Sequence, residues 1–384
     1  MSAPDTRPVG VFLDPAHHDF AAAVGAWSDR ELATRAEPVG DDAGRREARV
    51  LLGAIGQAGW LEPIRRGDWR ACCLAREALA AGSPLADAVF ALQGLAVVPI
   101  LLAGDETLKE RYVPAAIAGR AMGGFAMTEP EAGSDVASLA TRAVRDGAQY
   151  VLDGQKTLIS NAGIADFYVV FATTAPAAGG KGITAFVVPA DTPGLRFVRP
   201  LVLASPHPLG ELAFERCTIP AANRLGEEGR GLALGLKTLD RLRATVGAAA
   251  CGMASRALAE ALAHARTRRQ FGKPIAEFQL VQEKLSRMAT TLAAARLLVY
   301  HAAHRADSGA ARVTLEAAMA KAFATETAQQ VVDDAVQILG GAGVLAEHPV
   351  DRLYRSVRAL RIYEGTTEIQ HLVIAGQLLA ESGA

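Results

Sequence analysis

Tyr150-Val151-Leu152-Asp153-Gly154 reads as a short β-type run closed by a turn signal, and two further runs follow it closely, Phe167 to Ala172 and Ile183 to Val188 before Pro189. Short stretches of β-branched and aromatic residues bounded by Gly, Pro or Asp are the usual signature of strands. With Leu212 to Phe214 as a fourth run, residues 121–228 read as a β-domain. The period changes on both sides of it. Upstream, Leu51, Leu52 and Ile55, ending near Trp60-Leu61, and then Leu85, Val89, Leu92 and Leu95, recur at helical spacing, so residues 1–120 read as all-helical. Downstream of Gly229-Arg230-Gly231 the helical period returns through residues 229–384. There Ala328, Val331, Val332, Ala335, Val336 and Leu339 form one apolar face that stops at Gly340-Gly341. Several long helices in succession predict a bundle. Strand and helix do not alternate, which excludes a doubly wound sheet. Gly340-Gly341-Ala342-Gly343 follows a helix rather than a strand, the wrong context for a dinucleotide loop.

The 384 residues are 50% hydrophobic and allow two or three compact units at about 150 residues each. Forty basic against forty-one acidic residues leave a net charge of -1, so no global positive field exists to hold a polyanion, and no nucleic-acid partner is expected. Cys72, Cys73, Cys217 and Cys251 form no C-x-x-C pair, and the first ten residues carry no basic segment followed by an apolar stretch, so a cytoplasmic address is expected. The apolar run from Ala88 to Gly104 is broken by Gln93 and Pro99 and falls short of the ~20 clean apolar residues of a bilayer span. It reads as a buried helix and turn, with no membrane association. His301 and His304 lack a third ligand nearby in sequence, so they read as solvated surface histidines and no metal is expected.

Phe125-Ala126-Met127-Thr128-Glu129-Pro130-Glu131-Ala132-Gly133-Ser134-Asp135 is the first segment that composition does not explain. It resembles a segment of the acyl-CoA dehydrogenase family. The same family is suggested by Gly154-Gln155-Lys156-Thr157-Leu158-Ile159-Ser160-Asn161, Arg268-Arg269-Gln270-Phe271-Gly272-Lys273, Gln337-Ile338-Leu339-Gly340-Gly341, and Ile362-Tyr363-Glu364-Gly365-Thr366-Thr367-Glu368-Ile369-Gln370. These occur in the family's order over nearly the whole chain. The resemblance implies an N-terminal helical domain, a middle β-barrel or sandwich and a C-terminal four-helix bundle, so a mainly α fold with a central β-domain. It also implies FAD, an acyl-CoA substrate, a homodimer or homotetramer completing the FAD site, a place in fatty acid metabolism, and electron-transfer flavoprotein as acceptor.

On this resemblance Phe125, Thr128, Ser134, Leu158 and Ser160 line the flavin, with Ser160 near its N5 edge and Ser134 also on the pantetheine side. Many relatives carry Trp where Leu158 stands, and the exchange costs aromatic stacking. Arg268, Gln270, Phe271, Gln279, Gln337, Gly340, Gly341, Thr366 and Glu368 are the remaining implied cofactor contacts, the guanidinium of Arg268 suiting a phosphate. Asp240, Arg243 and Gly365 are implied to meet the substrate. Glu364 is the implied base. A glutamate with an ordinary pKa of about 4.3 is too weak to take an α-proton unless burial raises its affinity.

Competing readings of the same residues are ordinary: a capped turn at 128–135, an exposed helical arginine at 268, an i, i+3 ion pair of Asp240 and Arg243 at a helix start, and a loop glutamate ahead of a helix capped by Thr366. Asp87, Ala88 and Ala91 lie where the family sets chain length and suggest a short, branched or polar acyl group. The loop Ala204-Ser205-Pro206-His207-Pro208-Leu209-Gly210 departs from the family's pattern, with two prolines stiffening it. These departures keep open a decarboxylating or desulfinating relative and an acyl carrier protein-linked dehydrogenase; the resemblance adds a third alternative, a DNA-associated flavoprotein, against which the balanced charge speaks.

Overall fold

The computed structural model describes residues 2–382. Six helices come first: α1 (Pro15–Glu31), α2 (Asp41–Gln57), α3 (Glu62–Arg66), α4 (Trp69–Gly82), α5 (Pro84–Ala103) and α6 (Glu106–Ile117). Then come strands β1 (Gly123–Ala126), β2 (Arg142–Asp146), β3 (Gln149–Ser160), β4 (Phe167–Thr173), β5 (Ile183–Pro189), β6 (Leu195–Pro200), β7 (Leu209–Pro220) and β8 (Arg224–Leu225). Helices α7 (Gly231–Thr267), α8 (Gln279–Asp307), α9 (Thr314–Leu339), α10 (Pro349–Leu360) and α11 (Thr367–Ser382) complete the chain. The chain divides into two compact units, one of Met1–Ala36, Asp68–Asp87 and Asp240–Ala384, the other of Glu37–Gly67 and Ala88–Leu239.

In the first unit α1 packs on α4, α4 on α8, and α9 meets α8, α10 and α11. Small residues let the helices approach. Ala248, Ala249, Ala250, Ala254, Ala257 and Ala261 of α7 are fully buried, and a Cβ on Gly252 would lie 2.1 Å from the Glu77 carbonyl oxygen. The buried Glu77 carboxylate accepts from Arg296 Nε at 2.7 Å and Tyr300 Oη at 2.9 Å. His301 and His304 depart from the solvated surface reading: both are half-buried, their rings 5.8 Å from that of Phe12. His17, Asp68 and Asp307 bring ligand-type atoms within 4.8 Å of one another, but Arg70 Nε already donates to Asp307 at 2.7 Å.

In the second unit the strands form one sheet in the order β6-β7-β3-β2-β4-β5-β8, with β1 joined in parallel to β4. All seven β4 residues are buried, as a near-continuous apolar run requires. The turn expected at Asp153-Gly154 does not form. β3 continues through it because a register shift against β7 between Leu152 and Gly154 absorbs the irregularity, and a Cβ on Gly154 would lie 2.6 Å from Thr141 Oγ1. α5 likewise departs from the expected helix and turn. It is one helix with Pro99 inside, long and apolar enough by composition to cross a bilayer, yet 83% of its most apolar window is buried. Gln93, the polar break in that helix, donates to the carbonyls of Ala116 and Ala121 at 3.0 and 2.9 Å and accepts from Gly123 N at 2.7 Å, tying α5 to β1.

The strand alternation that buries Tyr150 and Leu152 also buries Lys156. Its Nζ donates to Glu129 Oε1 at 2.7 Å and to the Met127 carbonyl at 2.9 Å, and Glu129 accepts from the backbone of Ala140 and Thr141. These bonds hold the Glu129 carboxyl below its ordinary pKa, while burial pushes Lys156 down to about 8. Removing one partner of a buried pair leaves the other charge uncompensated. Lys156→Met is therefore expected to cost about 3–5 kcal/mol in urea unfolding. A loss under about 1 kcal/mol would show that the pair is not shielded as described.

Candidate active site

Glu364 stands in the turn between α10 and α11 with φ +55°, followed by Gly365 at φ +92°. A left-handed non-glycine residue is costly and persists where its surroundings fix it. Here the fixing bonds are explicit. The Glu364 carbonyl accepts from Arg243 Nε at 3.4 Å and Gln370 Nε2 at 3.3 Å, and the Gly365 carbonyl accepts from Lys321 Nζ at 2.7 Å and Gln370 Nε2 at 3.1 Å. A Cβ at Gly365 would lie 2.4 Å from that same Gln370 nitrogen. Thr366 Oγ1 accepts from Ile369 N at 3.3 Å, capping α11, and Thr367 Oγ1 donates to Glu326 at 2.7 Å. Glu368 is exposed.

The Oε2 atom of Glu364 is shielded from solvent and has no hydrogen-bond partner. Burial raises the carboxyl above its ordinary pKa. The nearby charges of Arg76, Lys321 and Arg243 oppose that rise, and Asp87 adds to it. Lys321 is itself pushed down to about 8 by burial, in spite of Glu364. Arg76 forks onto Asp87, with Nε and Nη2 at 2.7 and 2.9 Å from the two carboxylate oxygens, and its Nη1 donates to Thr245 at 2.9 Å. Asp87 is thus committed to Arg76. Asp240 and Arg243 pair at 2.5 Å, and Thr314 Oγ1 donates to Asp240 at 2.6 Å. They lie well inside α7 rather than at a helix start. The arrangement presents an uncommitted oxygen whose proton affinity is raised by burial and held in check by cations, which is what a general base needs.

Arg76, Lys321 and Gln370 carry no role in the sequence reading. The available signal was a charge set in an Ala- and Leu-rich helical stretch: Arg76 and Glu77 in α4, Lys321 in α9.

A second cluster lies on the sheet. Phe125, on β1, packs its ring 4.9 Å from that of Phe171. The Thr128 carbonyl accepts from Thr157 N at 3.1 Å, which lays segment 125–129 beside β3. Leu158, at φ +56°, is 55% exposed. Ser160 ends β3, and its Oγ lies 2.7 Å from His207 Nε2, a partner the sequence reading did not foresee. Ser134 lies exposed beyond this cluster.

The other sequence candidates form a third group. Arg268, Gln270, Phe271, Gln279, Gln337, Gly340 and Gly341 are all exposed, Phe271 to 93% and at φ +51°. A Cβ on Gly340 or Gly341 would meet nothing within 4 Å. In the second unit Leu158 turns outward; in the first, Phe271 turns outward, Gly341 meets no packing that requires a glycine, Gly340 is accounted for by its φ of +61°, and the Glu364 Oε2 atom is left without a partner.

Three domain descriptions match the chain: the acyl-CoA dehydrogenase N-terminal domain at residues 14–120, the middle domain at 124–217 and the C-terminal domain at 229–379. The probable acyl-CoA dehydrogenase FadE25 of Mycobacterium tuberculosis is 39% identical over 376 residues, 96% of each chain. The structure of a glutaryl-coenzyme A dehydrogenase in complex with glutaryl-CoA is similar with TM-score 0.91 and 32% identity, covering 96% of each chain. A glutaryl-CoA dehydrogenase of Mycobacterium smegmatis in complex with FADH2 is similar with TM-score 0.88 and 29% identity, again over 96% of each. The chain belongs to the acyl-CoA dehydrogenase family and is an FAD-dependent oxidoreductase of acyl-CoA substrates.

Proposed function

We propose that the chain converts a short or branched acyl-CoA to its trans-2-enoyl thioester, with Glu364 as the base that removes the α-proton, and passes the electrons to an electron-transfer flavoprotein. The single observation that carries the reading is the shielded Glu364 Oε2 atom with no partner. FAD, when bound, supplies the acceptor for the β-hydride. Thr128 and Ser160 bond its ring edge, and Phe125 and Leu158 line its face. Arg268, Gln270, Phe271, Gln279, Gln337, Gly340, Gly341, Thr366 and Glu368 complete its binding, the exposed ones in support of a site shared with a second copy in a homodimer or homotetramer. The functional division runs 1–120, 121–228 and 229–384.

The Glu364 backbone N–H donates to no group among the described residues, which supports it as a donor to the thioester carbonyl. Such a donor stabilises the enolate-like charge that develops as the α-proton leaves. Arg243 and Gly365 hold this loop beside the substrate, and Asp240 and Ser134 serve the pantetheine arm. Arg76 and Asp87, each 1% exposed, occupy interior space within electrostatic reach of the base, which supports a short or branched acyl group. All four cysteines are free and buried, so no disulfide is present to take the electrons, in support of an external acceptor.

Anaerobic mixing of the FAD-loaded protein with acyl-CoAs of increasing chain length tests this. Short or branched thioesters are expected to bleach the flavin, and Glu364→Gln to slow bleaching at least about 100-fold. The reading fails if no thioester bleaches the flavin or if the variant matches wild type. The pH profile gives a second check. The base must be ionised, and burial raises its pKa, so the reduction rate is expected to fall with decreasing pH through a midpoint above the ordinary ~4.3. Lys321→Met removes a charge that favours the carboxylate, so the midpoint should rise. An unmoved midpoint would show that Lys321 does not act on the base.

A further inference from the structure

We infer that His207 is a positioning residue for the flavin edge, a neutral imidazole that lets the Ser160 hydroxyl serve as a donor to the oxidised cofactor and as an acceptor for the reduced one. This rests on the proposed placement of Ser160 at flavin N5.

The geometry is fixed from several sides. β3 ends at Ser160, which pairs in register with Leu209 of β7, and His207 stands two residues before that strand. Asn161 N donates to the Pro208 carbonyl at 2.8 Å, and Arg45, a buried side chain of α2, donates through Nη2 to the Leu209 carbonyl at 2.7 Å and through Nη1 to that of Ala162. Prolines on both sides of His207 restrict its backbone further. The 2.7 Å contact between Ser160 Oγ and His207 Nε2 is therefore held by the sheet and by α2 together.

The chemistry follows from the donor inventory. A hydroxyl has one hydrogen and two lone pairs, and a neutral imidazole has one donating and one accepting nitrogen. N5 of an oxidised flavin is an acceptor, whereas in the reduced flavin it carries a hydrogen. With the ring proton on Nε2, His207 donates to Oγ and frees the hydroxyl hydrogen for N5. With the proton on Nδ1, Nε2 takes the hydroxyl hydrogen, and Oγ accepts from N5–H. Exchange between the two forms moves one proton between ring nitrogens and leaves net charge unchanged. A backbone carbonyl in place of His207 could only accept and would permit one arrangement alone.

Both forms require an uncharged ring. Burial, with Arg45 as the second cause, pushes His207 down to about 4. Arg45 is the charged group that bears on it, and Arg45 is itself paired with Asp41 at 2.5 Å.

The test is the midpoint potential of the bound FAD, measured by dye equilibration without any thioester, in Ser160→Ala, His207→Leu, the double variant and His207→Gln. An amide can present either its NH2 or its oxygen, so His207→Gln is expected to keep the wild-type potential. His207→Leu is expected to shift the potential in the same direction as Ser160→Ala and no further, and the double variant to match Ser160→Ala alone, because the histidine acts only through the hydroxyl. If His207→Leu fails to load FAD, His207→Asn, too short to reach Oγ, carries the same comparison. An unshifted potential in His207→Leu, additive shifts in the double variant, or no rescue by glutamine overturns the inference. Bleaching by acyl-CoAs together with any of those results leaves the dehydrogenase reading standing while this one falls. The expected potentials without bleaching separate the two in the opposite sense.

Discussion

One carboxylate oxygen of Glu364, kept from water without being given a partner, is the constraint on which the reading of the helical unit depends. An unpaired buried charge is expensive, and a protein ordinarily removes the cost by a direct ion pair or by neutralising the group. At Glu364 neither has happened. Arg76 is committed to Asp87 and Thr245, Arg243 to Asp240, and Lys321 to the Gly365 carbonyl, so each cation acts on the glutamate through space while its hydrogens are used elsewhere. The result is a group whose protonation is balanced between burial and three positive charges. A direct salt bridge at Oε2 would have lowered its proton affinity and occupied that oxygen.

Three other buried polar side chains of this Ala-rich chain show the ordinary solution. Glu77 is satisfied by Arg296 and Tyr300, Gln93 by three backbone groups, and Glu129 by Lys156 and two backbone amides. Each of these joins segments distant in sequence, and each has its partners in place. Against that background the Glu364 Oε2 atom, shielded and without a partner, differs from the Glu77 and Glu129 carboxylates, whose partners are in place.

Much of the fold was legible because periodicity is a local signal. The apolar face from Ala328 to Leu339 is part of α9, and Phe167 to Ala172 and Ile183 to Val188 lie within β4 and β5. Where the reading departed, a compensation invisible to local sequence was at work: a register shift carries β3 through Asp153-Gly154, and burial holds α5 together across Pro99. At the site, Glu364 could be singled out from its motif, whereas the surroundings that decide its chemistry could not. The resemblance pointed to Asp87 and Arg243, but Arg76 and Lys321 come from helices far apart in sequence, and nothing in their spacing announces that they meet at Glu364. His207 was visible only as an oddity between two prolines, and its bond to Ser160 arises from strand register.

The most direct measurement is the protonation of Glu364 itself in the FAD-loaded protein without substrate, read by infrared difference titration of wild type against Glu364→Gln. One carboxylic acid C=O band, absent from the variant, should titrate above the ordinary carboxylate range, at a frequency typical of an acid without a strong hydrogen bond. A band titrating near the ordinary ~4.3, or no band that the substitution removes, would contradict the claim that this carboxylate is shielded and unpaired.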